Sequence, residues 1–297
     1  MKLAYLLLIA GLVSICCIYS CSKNTNPTPP HQDTTIITKT DTVTKIVPPP
    51  PDSTVNLKLG LLLYLPFDGN IADSSGNGNP TVAVGGNVLT YDAHGYANNA
   101  FGGNGTGQEI LVTNNGSIDF DTAFSVSFDF MINAVQQQVF ISMVNPVNGQ
   151  GPSFIVDASI PGLPNLSFFA NDVTGSCSAA GQTTVQNPNV IADTSIAPVP
   201  GSWYNAICIY HKGTIQFYVN GVLTNTLVGP GTAALLSPQS QIVVGGWWNT
   251  QPLTLNGKLD EVRLYNRVLT PHEIVTLSQH FQVTSESTQT KLVSHKL

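Results

Sequence analysis

The chain has 297 residues, enough for one large β-sandwich or two small domains. Only 9% are charged and the formal charge is −6, which excludes a basic stripe for nucleic acid. A hydrophobic content of 42% excludes disorder throughout, and 26 glycines and 20 prolines supply the turns that many short strands need.

The chain opens on Lys2, an apolar run from Leu3 to Tyr19, and then Ser20-Cys21. A basic start, an apolar core and a small residue before the cut predict a secretory signal over 1–20. Read as an uncleaved anchor, the run is slightly short, because a crossing helix needs about 20 residues. Ile18-Tyr19-Ser20-Cys21 resembles a bacterial lipobox, which implies lipidation of Cys21. Cys16 and Cys17 follow bulkier residues and would leave with the signal. Residues 21–56 read as the lipidated cysteine and a Pro- and Thr-rich linker: NPTPP, DTTIITKTDTVTKIV and PPPPDST. Pro-rich chain stays extended at about 3.1 Å per residue, so the linker could hold a domain on the order of 100 Å from a membrane.

A globular domain is expected over 57–283, with 284–297 as a polar tail. Leu61–Phe67 reads as a buried first strand. In Ala123–Met131, Phe124, Val126, Phe128 and Phe130 alternate with Ser125, Ser127 and Asp129. Strand side chains change face at every residue, so this run buries one face and wets the other. Val139–Val144, Ser153–Val156, Leu166–Ala170, Trp203–His211 and Ile242–Gly246 are further strands. Ile215, Phe217 and Val219 alternate with Gln216, Tyr218 and Asn220, and Asn220-Gly221 then predicts a tight hairpin. The stretches 84–107, 145–152 and 172–202 are polar and Gly-rich and read as long loops. The G-G-N-G-T-G run at 102–107 lacks a Lys and a following helix, so it reads as flexible loop rather than a phosphate cradle. Near the C-terminus Thr270-Pro271-His272-Glu273 predicts a capping box with Pro at the first helical position. Ile274, Leu277 and Phe281 fall on one face of that helical turn, which is expected to cover the sandwich edge.

Removal of the signal and anchoring at Cys21 leave Cys177 and Cys208. An exported compartment permits a disulfide between them. The alternative is two free thiols, with Cys208 packed as a small hydrophobe.

W-Y-x-A at 203–206, Y-V-N-G-V-L at 218–223, G-K-L-D-E-V-R-L-Y-N-R-V-L-T-P-H-E-I at 257–274 and L-P-F-D-G-N-I-A-D-S-S-G-N-G-N at 65–79 resemble the concanavalin A-like, laminin-G-like domains of bacterial surface proteins. The resemblance spans roughly 57–281. It implies an all-β fold: a two-sheet antiparallel jelly-roll sandwich with a short C-terminal helical turn. It also implies adjacent first and last strands, and an outer-membrane or cell-surface location for the lipid-anchored chain.

Three chemistries follow. Asp68, Asn70 and Asp73 cluster on one irregular stretch, the kind of oxygen-rich loop a calcium ion uses. The resemblance adds Asp260 as a fourth ligand of a structural calcium. The other reading is that Asp68, Asn70 and Asp73 shape turns and Asp260 pairs with a Lys or Arg. Trp247 and Trp248, with Tyr91, His94 and Tyr96 in a Gly-rich loop, are candidates for stacking on sugar rings. The third chemistry is glycoside hydrolysis, which needs two carboxylates flanking the scissile bond. Related glucanases carry Glu-x-Asp-x-Glu, which is absent here, and of Glu109, Glu261, Glu273 and Glu286 only Glu109 lacks a structural role. The histidines show no spacing suited to zinc, and no G-x-S-x-G elbow occurs. The expected function is binding of a glycan or glycosylated surface without catalysis. The alternatives are a structural or adhesion module that binds protein, and then a glycosidase.

Overall fold

The computed structural model describes residues 55–86, 88–120, 122–144, 153–158, 166–170, 190–193, 196–228, 241–247 and 253–281. The expectations for the signal, Cys21, the linker, the loop at 145–152, Cys177, Trp248 and the C-terminal tail fall outside these residues. The described residues form fifteen strands and one short helix. In chain order these are β1 (Leu61–Leu65), β2 (Thr81–Val84), β3 (Leu89–Thr90), β4 (Ala100–Asn104), β5 (Glu109–Thr113), β6 (Ala123–Ile132), β7 (Gln138–Val144) and β8 (Phe154–Ala158). They continue with β9 (Leu166–Ala170), β10 (Val190–Asp193), β11 (Trp203–His211), β12 (Thr214–Val219), β13 (Val222–Val228), β14 (Gln241–Val244) and β15 (Asn256–Tyr265). Helix α1 (Pro271–Ser278) and a 3-10 turn, Gln279–Phe281, close the domain.

Every pairing is antiparallel, and two sheets result. The larger runs β13-β12-β11-β6-β15-β4-β3, with β1 also on β15. The smaller runs β10-β9-β8-β7-β14-β5-β2. Alternation explains how they meet. Phe124, Val126, Phe128, Phe130 and Ile132 of β6 turn inward with Ala206, Cys208 and Tyr210 of β11. Phe140, Phe154, Phe168 and Ile242 reach them from the other sheet. The jelly-roll sandwich and the adjacency of first and last strands are as expected: Leu63, Tyr64 and Leu65 face Leu264, Arg263 and Val262. The predicted hairpin forms at Asn220-Gly221, both with positive φ.

Two stretches read as loop carry strands. The segment 84–107 holds β3 and β4, and the segment 172–202 holds β10. Gly102 and Gly103 lie inside β4, so the first half of the G-G-N-G-T-G run is sheet, not flexible loop. A Cβ on Gly103 would sit 2.3 Å from the Leu255 carbonyl oxygen, and one on Gly102 would sit 2.9 Å from the Thr90 methyl. The glycines are there for close approach, which imitates a loop signature in sequence.

The outer face of the larger sheet is half covered. Ile207, Ile209 and Tyr265 project outward and pack with Leu269, Ile274 and Leu277 of α1 and the turn before it. The Ser125 hydroxyl, on the same face, donates to the Arg267 carbonyl at 2.7 Å. The helix starts as predicted. Thr270 Oγ1 accepts the Glu273 N–H at 3.3 Å, and a Glu273 carboxylate oxygen accepts the Thr270 N–H at 2.8 Å. Arg267 holds the same carboxylate through both terminal nitrogens at 2.7 Å. Thr270→Ala should cost about 1 kcal/mol, read as a lower midpoint in urea at unchanged slope.

Cys208 faces the sandwich interior, between Val126 and Phe217 on the flanking strands. Among the described residues it stands as a free thiol, and burial pushes its pKa well up. A mid-strand side chain aimed into the core packs as a small hydrophobe.

Candidate functional site

The residues expected to ligate calcium serve the backbone instead. Asp73 Oδ1 accepts the N–H groups of Tyr64 at 3.1 Å and Ser75 at 2.9 Å. Asp73 Oδ2 accepts from the Asn79 backbone at 3.0 Å and its side chain at 2.8 Å. These donors, the amide protons of Ser75 and Asn79 above all, outweigh the burial that opposes ionisation and hold the carboxyl below its ordinary value. Asn70 Oδ1 accepts the Ala72 N–H at 2.8 Å, and its Nδ2 donates to the Asp68 carbonyl at 3.1 Å. Among the described residues no group of three or more His, Cys, Asp or Glu is arranged to hold a metal ion. Asp68, Asp73 and Asp260 are thus not brought together as such a group. The first three build the turn after β1.

Among the described residues Asp260 forms no ion pair with a Lys or an Arg. It stands on the outer face of β15, with Asp129 of β6 as its cross-strand partner. Asp129 is in turn opposite Asn205 of β11. Three polar residues thus form one row across three strands. Their separation along the chain hid this row from sequence reading. The available signal was an Asp in the middle of each of two strand-like runs, F-D-F and L-D-E-V.

Asn205 Nδ2 donates to Asp129 Oδ1 at 2.7 Å. The Asn205 backbone N–H donates to Asn220 Oδ1 at 2.8 Å, which ties the row to the hairpin turn. Asp260 Oδ1 accepts the Glu261 N–H at 2.8 Å. Burial, above all, pushes Asp260 up to about 8, and the carboxylates of Glu261, Asp129 and Asp92 add to it. Burial likewise pushes Asp129 up to about 7, against the lowering effect of the Asn205 amide. Beside the row, Glu261 adopts a positive φ of 54° where the outer neighbour of β15 changes from β4 to β1. Its carboxylate accepts the Tyr64 hydroxyl at 3.0 Å and pairs with Arg263, whose guanidinium lies 4.1 Å from the centre of the Tyr64 ring.

The loop between β3 and β4 borders this face. Lys258, next outward residue to Asp260 on β15, donates from Nζ to the Tyr91 carbonyl at 2.9 Å. Asp92 Oδ1 accepts the N–H groups of His94 and Tyr96, each at 2.8 Å, which fixes the loop's shape. Tyr91 is 58% exposed and Tyr96 65%. The His94 ring meets the His280 ring edge-on at 6.0 Å, which brings the loop against the turn after α1.

Trp247 lies elsewhere. It follows β14 and packs on the outer face of the smaller sheet with Val144, Val243 and Leu111. Ser142 Oγ donates to the carbonyls of Gly246 and Trp247 at 3.0 and 2.8 Å and anchors that bend. The aromatic residues expected to form one sugar platform are thus divided between the two sheets. Glu109 lies beside Gly246, only 2% exposed, and burial alone raises its carboxyl to about 7.

A family model described as Laminin_G_3, the concanavalin A-like lectin/glucanases superfamily, matches residues 104–275. No curated protein sequence matches the chain. Among solved structures, the botulinum neurotoxin serotype D ligand binding domain, in complex with N-acetylneuraminic acid, is similar at TM-score 0.55 and 14% identity, covering 75% of this chain and 51% of that one. The botulinum neurotoxin serotype G binding domain gives 0.55 at 18% identity, with 74% and 51% covered. Domain 4 of a GH43 extracellular arabinanase from Geobacillus stearothermophilus, in complex with arabinotriose, gives 0.53 at 19% identity, with 74% and 98% covered. The chain spans about half the length of the neurotoxin domains it matches. At these identities the likeness establishes the fold.

Proposed function

We propose that this chain, which belongs to the concanavalin A-like lectin/glucanases superfamily, is a non-catalytic glycan-binding module displayed on a cell surface by a lipid on Cys21. The observation that carries the reading is the pair of exposed tyrosines on the β3–β4 loop. Tyr91 and Tyr96 are held out by a loop that Asp92 and Lys258 fasten, so their exposure is built rather than incidental. A rigid aromatic face costs little entropy to use and stacks on the apolar face of a sugar ring. Polar side chains next to it orient hydroxyls. Similar domains carry N-acetylneuraminic acid and arabinotriose, which supports the class of ligand. In this reading the Pro- and Thr-rich linker at 21–56 projects the module from the outer membrane toward a glycan or glycosylated partner.

A glycan array on the full chain tests it. The unmodified protein should bind at least one glycan. Tyr91→Ala with Tyr96→Ala should weaken that binding about tenfold or more, with unchanged melting temperature. A folded protein that binds no glycan would return the chain to the adhesion class, with protein partners.

A further inference from the structure

Like charges directly opposite each other on adjacent strands destabilise a sheet. Asp129 and Asp260 occupy such a pair, and the nearby cations are engaged elsewhere. Arg263 is held by Glu261 and Tyr64, and Lys258 by the Tyr91 carbonyl. A second observation stands apart from the acidic pair. Asn205, 1% exposed, aims its amide at Asp129, and its Oδ1 receives no hydrogen bond. A buried acceptor without a donor costs about 1–3 kcal/mol. The row therefore offers donors the second oxygen of each of two carboxylates, backed by a buried Asn205 whose Oδ1 is left without a partner. Beside them stands the loop with the exposed tyrosines. Among the described residues no three of His, Cys, Asp or Glu converge here to hold a metal ion. Sugar hydroxyls are donors, and two adjacent hydroxyls match the two oxygens of one carboxylate.

We propose that the row Asn205–Asp129–Asp260, walled by the Tyr91–Tyr96 loop, is the glycan subsite, and that it takes neutral sugars with adjacent hydroxyls and rejects sialic and uronic acids. This rests on the glycan-binding reading above and adds a place and a selectivity. The row gains its negative charge as pH rises through about 7 and 8, where Asp129 and Asp260 ionise, so above that range an anionic sugar brought onto it meets like charge.

The test uses the full chain, arrayed neutral glycans, their sialylated counterparts and uronic-acid glycans, each with and without chelator. The expected result at pH 8.5 is binding of a neutral glycan and at least tenfold weaker binding of its sialylated form, with the difference narrowing at pH 5.5. Asp129→Asn with Asp260→Asn should weaken the neutral glycan about tenfold and narrow the discrimination. Trp247→Ala should leave both unchanged. Loss of binding in Trp247→Ala, with the double variant within twofold of the parent, would overturn the subsite and leave glycan binding standing. Preference for anionic glycans would overturn the selectivity. Binding that chelator abolishes, with calcium affinity lost in the double variant, would make the row a metal site. No glycan bound by folded protein would remove the parent reading itself.

Discussion

Phe124→Ala should lower stability by about 3–5 kcal/mol, the range for a fully buried aromatic cut to a methyl. The Phe124 ring lies 5.7 Å from Tyr210 in its own sheet, and 5.2 and 5.9 Å from Phe154 and Phe168 in the facing sheet. Phe120, from the preceding loop, stacks on it at 4.9 Å. One ring thus joins both layers, and the rigid strands around it cannot collapse into the space it leaves. For a domain of this size, the loss lowers the melting temperature by about 10 °C. Val228, on the edge strand β13, is 75% exposed and serves as the contrast. Val228→Ala should change stability by less than about 0.5 kcal/mol. Urea unfolding of both variants decides the matter. A cost below about 1 kcal/mol at Phe124 would mean that the two sheets do not meet through this ring.

The inward face of β6 was readable because alternation is a local property: Phe124, Val126, Phe128 and Phe130 need only the pleat to share a face. What lies on the other face was not readable. Ser125 is fully buried under the Arg267–Leu269 turn, and Asp129 faces Asp260, partners more than a hundred residues away in sequence. Register, not composition, makes those contacts. The same limit explains β3 and β4. Gly102 and Gly103 carry no side chain to alternate, and the reason for them, the Thr90 methyl and the Leu255 carbonyl, belongs to other strands. The capping box was legible because all its parts lie within four residues. Asp260 was legible as a marked position through resemblance alone. Register, which sequence does not show, sets it opposite Asp129 as half of a carboxylate pair.

That pair gives the domain an inverted response to pH. Asp260 is pushed up to about 8, and Asp129, Asp157 and Glu109 to about 7, in each case chiefly by burial. A carboxyl whose folded value exceeds its unfolded value binds its proton more tightly in the folded state. The stabilisation is complete below the unfolded values of 3.8 and 4.5 and is lost as pH rises through 7 to 8. The domain should therefore melt at a lower temperature at pH 8.5 than at pH 5.5, opposite to the usual effect of salt-bridged carboxylates. Asp260→Asn should remove part of that fall. The amide oxygen can still accept the Glu261 N–H, while the charge facing Asp129, Glu261 and Asp92 disappears. We expect the gain to be larger at pH 8.5 than at pH 5.5 by about 1–3 kcal/mol, a few degrees in melting temperature. An equal shift at both values would mean that the gain is packing rather than charge. Asp129→Asn should act in the same direction, because either substitution ends the same repulsion. The double variant should then gain less than the sum of the two singles at pH 8.5, and the shortfall measures how strongly the two carboxylates oppose each other.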